Sequence, residues 1–285
     1  MTTSSRARVT PAAIRSRKRV SSSEDSRKIS ALTAYDYTWA KIFDEVGVDL
    51  LLVGDSLGMV VQGHKTTIPV TIDQVIYHTR CVSAAVERAL VVADLPFLSY
   101  RVSIESSLLN AGRLIQEGGA AAVKLEGGIL YKETVERLVN ADIPVIGHIG
   151  LTPQSYHRMG GYRIQGKHGS SFRKNGLKGK NELLEDARAL EEAGVFAIVL
   201  EGMISDVAQE ITEQLSIPTI GIGAGPHCDG QILVSTDMLG LNVDSLPKFV
   251  EVYAPIGEMA RKAVEQYLAD VQSGEFPAER HSYRD

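Results

Sequence analysis

Short, uninterrupted apolar runs recur along the chain from residue 29 onward: ISALTAYD (29–36), DLLLVGD (49–55), ALVVADLP (89–96), AAVKLEGG (121–128), IPVIGHIG (143–150), FAIVLEG (196–202) and IPTIGIGAG (217–225). None alternates apolar with polar residues. A strand of that kind is buried on both faces, the condition of a parallel sheet covered by helices. Amphipathic stretches fill the gaps and predict helices over 37–46, 72–87, 104–117, 132–140, 181–193 and 204–215. Several of these end on a stop glycine, as at Gly47, Gly118 and Gly194.

Strand and helix alternating over short links predict an α/β fold with an all-parallel sheet. Closed on itself, that sheet is a (β/α)8 TIM barrel; an open doubly wound sheet is the alternative. The eighth strand is indistinct in the sequence and is assigned to Lys248–Tyr253, ahead of a helix over 256–272. The chain has 285 residues, and such a barrel takes about 250. A single barrel domain over 29–285 with a C-terminal helix therefore fits, preceded by a flexible N-terminal arm over 1–28. That arm is rich in Ser, Arg and Lys and lacks the apolar core of a secretory signal, so a partly mobile arm and a cytoplasmic setting are expected. One long connection, from Gly150 to Lys180, breaks the rhythm and is a candidate for function.

Composition excludes more than it selects. A net charge of −5 offers no basic surface for nucleic acid, and no apolar run approaches a membrane span. The only cysteines, Cys81 and Cys228, are far apart and read as free thiols.

Chemistry enters where the apolar runs stop. The second run ends in Asp55, the third in Asp94, the fourth in Lys124 and Glu126, the fifth in His148 and the sixth in Glu201. One polar residue at a strand end is unremarkable, but ionisable residues closing five successive strands converge on one barrel face, where enzymes of this fold keep their active sites. Asp55, Asp94 and Glu126 form an acidic cluster that calls for a divalent cation, and an oxygen-only donor set favours Mg2+. Lys124 supplies a fixed positive charge for a substrate carboxylate or a developing oxyanion. Glu201, behind Ala197-Ile198-Val199-Leu200, is expected to have its pKa raised toward that of a general base, and His148 to donate to substrate or relay a proton. Together these groups suit proton abstraction from C3 of a metal-chelated 2-oxo acid, giving a Mg-stabilised enolate.

The strings TAYDY (33–37), VGDSLGMVVQGH (53–64), ADLPF (93–97), VKLEGG (123–128), GHIGLTPQS (147–155), GGYRIQGK (160–167) and IGIGAGPHCDGQIL (220–233) resemble, in order, the ketopantoate hydroxymethyltransferase family over about residues 14–281. The resemblance implies a barrel of the phosphoenolpyruvate/pyruvate superfamily. It implies transfer of a one-carbon unit from 5,10-methylenetetrahydrofolate to 3-methyl-2-oxobutanoate, giving 2-dehydropantoate for pantothenate synthesis. Asp55, Asp94 and Glu126 then fall on the family's metal positions, Lys124 and Ser56 on its substrate contacts, and Glu201 on its catalytic base. Large homo-oligomers, commonly homodecamers, are implied as well.

Two departures stand out. Gly202 follows the base where members of the family often carry cysteine, an exchange expected to leave Glu201 undisturbed. The loop over 168–181 is long and basic, with Arg173, Lys174, Lys178 and Lys180; it is either a solvated insertion or a contact for the folate's glutamate tail. Three rival functions remain open: a Mg-dependent C–C lyase on a related 2-oxo or 2-hydroxy acid, an aldolase with Lys124 as Schiff-base nucleophile, and a barrel that only binds an acid. Elsewhere, GIGAG (221–225) reads as a tight turn rather than a dinucleotide fingerprint, and His64 as a loop residue that either gates the pocket or faces solvent.

Overall fold

The computed structural model of the chain describes residues 7–18, 27–167, 176–242 and 246–285. It divides into two compact units, Met1–Leu233 and Val234–Asp285.

The first unit is a closed parallel barrel with the strands in sequence order. Its strands are β1 (Ile29–Thr33), β2 (Leu50–Val53), β3 (Leu90–Asp94), β4 (Ala122–Glu126), β5 (Val145–Gly150), β6 (Ala197–Glu201), β7 (Thr219–Ile222) and β8 (Gly230–Leu233). β2, β3, β4 and β5 are buried at every position, as their unbroken apolar runs predict. The helices between strands include α2 (Tyr37–Val46), α3 (Leu57–Val60), α4 (Ile72–Ser83), α5 (Ile104–Gln116), α6 (Lys132–Asn140), α7 (Tyr156–Met159), α8 (Lys180–Glu192) and α9 (Ser205–Gln214). Local chemistry sets their ends. Asp36 accepts the Trp39 N–H to cap α2, Thr71 and Gln74 form a capping box on α4, and Gly47 closes α2 in the left-handed conformation.

The eighth strand is not Lys248–Tyr253, which forms no strand. β8 follows β7 after a helix-free turn, pairing with β7 on one side and β1 on the other. Its sequence, GQIL, is only alternately buried, so it lacks the continuous apolar run that marks the other strands.

Part of the N-terminal arm is built into the barrel. Thr10 caps a short helix, α1 (Pro11–Arg15), that buries Ile14 completely. Val9 and Ile14 belong to one apolar cluster with Ile29, Leu50, Leu90, Ala122, Ile146, Ala197, Ile220 and Ile232, which includes a residue from every strand. Those residues lie toward the strand starts, so α1 closes the barrel at the end opposite the carboxyl face. In the second unit, the helix Ile256–Ser273 buries none of its residues.

Candidate active site

Strand register assembles the site. Parallel pairing sets Asp94 beside Lys124 and Glu126 beside His148, while Gly150 pairs with Glu201. Asp55 follows β2 after Gly54, and Asp55, Asp94, Lys124, Glu126 and His148 are all buried. The six strand-end residues expected to meet do meet.

Lys124 Nζ lies 2.9 Å from Asp94 Oδ1 and 3.2 Å from His148 Nδ1. The other imidazole nitrogen, Nε2, is 3.3 Å from Glu201 Oε2. The ammonium can only donate, so Nδ1 accepts from it, which leaves the proton on Nε2 facing Glu201. His148 thus joins the fixed cation to the glutamate. Its Nδ1 also lies 3.7 Å from Glu126 Oε1. Asp94 Oδ2 accepts the Asp55 N–H at 3.2 Å, tying the first two aspartates together.

Electrostatics divides the labour. Burial, and after it the charge of Asp94, pushes the Asp55 carboxyl up to about 7. Burial and the charge of Asp55 likewise raise Glu126 well above the usual carboxylate range. Burial alone would lower Lys124, but Asp94, Glu126 and Asp55 hold it well above its ordinary value. A lysine so firmly protonated is a poor Schiff-base nucleophile, which disfavours the aldolase alternative. Burial and the neighbouring Lys124 lower His148, so its imidazole is neutral near pH 7. Glu201 is not sealed by the apolar residues before it. Its side chain is 21% exposed, against 2% for His148, so it is the group that opens toward an incoming substrate.

Buried carboxyls that raise one another's proton affinity are relieved by a hard divalent cation. Asp55 and Asp94 could provide the one or two carboxylates with which Mg2+ is commonly held alongside water and substrate oxygens. Among the described residues no three His, Cys, Asp or Glu side chains stand as a finished metal cage. One oxygen of Glu126 is already engaged, accepting the Gln154 N–H at 3.1 Å.

Other residues marked by the sequence fall into place around this centre. The Ser56 hydroxyl lies 2.8 Å from Tyr35 Oη, and the Tyr35 carbonyl receives His78 Nδ1 at 2.7 Å, so Tyr35 and His78 fix the serine's surroundings. His64 is exposed. GIGAG is the end of β7 and the glycine turn into β8. In the basic loop, Arg173 and Lys174 lie outside the described residues, while Lys178 pairs with Asp186 and Lys180 with Glu210. Gly202 has φ of +52°, and a Cβ there would sit 2.9 Å from Leu151 Cβ, so exchange for cysteine is not free: Leu151 has to give way.

Gln154, Tyr100 and Arg101 escaped sequence inspection. Gln154 donates from Nε2 to Asp55 Oδ2 at 2.9 Å, and the Tyr100 hydroxyl reaches both the Glu126 carbonyl oxygen and Gln154 Oε1 at 2.8 Å. The one available signal was Gln154's place four residues past the end of β5, within GHIGLTPQS.

A closed parallel barrel with a lysine, a histidine and four carboxyl groups gathered at its carboxyl end defines an enzyme of the (β/α)8 class. Solved structures of similar shape include phosphonopyruvate hydrolase in complex with oxalate and Mg2+, at a TM-score of 0.60 and 13% identity, covering 96% of this chain and 91% of that one. Another is 2,3-dimethylmalate lyase, a member of the PEP mutase/isocitrate lyase superfamily, at 0.58 and 16%, with the same coverage. The model of the ketopantoate hydroxymethyltransferase family matches residues 13–279. The 3-methyl-2-oxobutanoate hydroxymethyltransferase of Geobacter metallireducens is 54% identical over 256 residues, 90% of this chain and 93% of the relative. That of Clostridium beijerinckii is 54% identical over 261 residues, 92% of each. The chain belongs to the ketopantoate hydroxymethyltransferase family, and its activity is hydroxymethyl transfer.

Proposed function

We propose that the carboxyl face of the barrel transfers the one-carbon unit of 5,10-methylenetetrahydrofolate to C3 of 3-methyl-2-oxobutanoate, giving 2-dehydropantoate, the first step toward pantothenate. The observation that carries this reading is the continuous line Asp94–Lys124–His148–Glu201, which joins a buried cation to an open carboxylate. Lys124 and Ser56 bind the carboxylate end of the oxo acid. Glu201 takes the C3 proton, and neutral His148, donating from Nε2, holds the glutamate in line and steadies it as its charge changes. The resulting carbon nucleophile forms the new C–C bond to the one-carbon unit; water supplies the hydroxyl oxygen and tetrahydrofolate departs. A divalent cation such as Mg2+, held by Asp55 and Asp94 with Glu126 behind them, would offset the carboxylate charge and draw electrons from the oxo acid's carbonyl, acidifying C3–H.

A cytoplasmic setting and a homo-oligomer, a decamer in keeping with the resemblance, belong to the same proposal. Cys81 and Cys228 are free, and no described helix is long and apolar enough to cross a membrane. Exposed Met259, Val264, Tyr267 and Leu268 on the Ile256–Ser273 helix are apolar surface that an assembly would cover.

The test follows the C3 proton of 3-methyl-2-oxobutanoate in D2O by NMR, without folate. Wild type is expected to exchange it in a metal-dependent manner, and Glu201→Gln to exchange it at least about 100-fold more slowly. Wild-type exchange in the variant removes Glu201 as base. Exchange indifferent to EDTA returns the Lys124 Schiff base to favour, and folate-independent cleavage of a related acid would point to the lyase.

A further inference from the structure

Gln154 is 2% exposed and lies in the 3-10 turn Pro153–Ser155, just beyond β5. Both ends of its side-chain amide have polar partners. The amide nitrogen donates to Asp55 Oδ2 at 2.9 Å and to the Leu95 carbonyl at 3.0 Å. The amide oxygen lies 2.8 Å from the Tyr100 hydroxyl and accepts from Arg101 Nη2 at 3.2 Å. Turning the amide over would set its oxygen against a carboxylate and a carbonyl, and its NH2 against a guanidinium, so the partners fix its orientation.

Arg101 is itself held. Its guanidinium lies over the rings of Phe97, Tyr100 and Tyr131, at 5.6, 5.1 and 5.5 Å from their centroids, and also donates to Tyr100 Oη at 2.8 Å. A charged donor on the amide oxygen polarises the amide and strengthens the N–H that faces Asp55. The backbone N–H of the same residue occupies one oxygen of Glu126. Gln154 therefore grips two of the site's carboxyls. By donating to Oδ2 of Asp55 it restrains rotation of that carboxylate about its Cβ–Cγ bond.

We propose that Gln154, locked by Tyr100 and Arg101, is a positioning residue that orients the Asp55 carboxylate for a divalent cation. The inference rests on the cation reading above. It concerns affinity for the ion, since Gln154 touches no reacting atom.

The protein, freed of metal with EDTA and desalted, is titrated with Mn2+ at constant pH and free Mn2+ is followed by electron paramagnetic resonance, with thermal unfolding recorded alongside. Gln154→Met keeps the volume and removes the donor, and Gln154→Ala removes both. Each is expected to raise the Kd for Mn2+ by roughly 10- to 100-fold, the usual effect of losing a partner that orients a metal ligand. Tyr100→Phe, which leaves Arg101 on the amide oxygen, is expected to weaken Mn2+ in the same direction by a smaller factor. A purely space-filling role predicts that Gln154→Met binds as wild type does, and that result overturns the proposal. Uptake lost in Asp94→Asn but kept in Gln154→Met overturns this proposal alone, whereas wild-type protein that takes up no Mn2+ overturns the cation site and the proposal with it. Should Gln154→Met not fold, Tyr100→Phe decides, and a wild-type Kd in that variant is the negative result.

Discussion

His148 shows how neighbours select one of the three states an imidazole can adopt. Lys124 on one nitrogen and Glu201 on the other leave room for a single tautomer, and burial with the nearby ammonium keeps it uncharged. Nitrogen-15 NMR at pH 6.5 should accordingly show His148 neutral with Nε2 protonated. A titration midpoint at or above 6.5, the ordinary value, would contradict this arrangement. His148 and the other ionisable members of the site were legible in the sequence because an ionisable residue at the end of an apolar run breaks a pattern. Gln154 and Tyr100 carry no charge, and Arg101 sits in a loop where a basic residue is ordinary. Their importance lies in whom they touch, which one strand's composition does not disclose.

At the scale of elements, β5 and β6 meet where the proposed base is seated, and Gly150 allows them to. Its φ is +100°, and a Cβ there would stand 2.2 Å from the carbonyl oxygen of Glu201. Gly150→Ala should therefore cost more than about 1 kcal/mol of stability, since alanine strains at positive φ. Displacing Glu201 by even 1 Å is expected to reduce kcat by about 100-fold. Thermal unfolding and steady-state rates check both, and a variant that matches wild type in the two would show that the strands part without cost. Seven strands could be read from sequence because each is an apolar run closed by a helix or a glycine turn. The eighth could not. Gly230 must lack a side chain, since a Cβ would lie 2.6 Å from that of Ile29, and Gln231 interrupts what remains. Closing the barrel demanded close approach rather than hydrophobicity there, and the sequence rhythm registers only the latter.

On the scale of the molecule, Asp49 fastens the N-terminal segment to the barrel. Its carboxylate is fully buried and receives Arg17 at 2.8 Å, Arg27 at 2.8 Å and Arg88 at 2.9 Å, with the Ser30 N–H and hydroxyl at 3.1 and 2.9 Å. Burial would raise its pKa, but the hydrogen bonds from Ser30, Arg17 and Arg88 prevail and hold it at about 2, below the ordinary 3.8. A carboxyl depressed on folding stabilises the protein above its unfolded pKa and stops doing so as pH falls through the folded one. Asp49→Asn is therefore expected to lower the unfolding free energy by about 2 kcal/mol at pH 7, a deficit that shrinks between about pH 4 and pH 2. Urea unfolding across that range measures it, and a deficit independent of pH would refute the assignment.

The seat of α1 also bears on the order in which the chain assembles. Ile14 is buried in a cluster that draws on all eight strands, the last of them ending at Leu233. As the chain is synthesised, Ile14 emerges ahead of every barrel strand, yet its place is incomplete until more than two hundred residues later. Contacts of such sequence separation form slowly, and domains built on them spend longer open to aggregation. Docking of the N-terminal helix is thus a terminal event of folding, a latch that can close only on a finished ring.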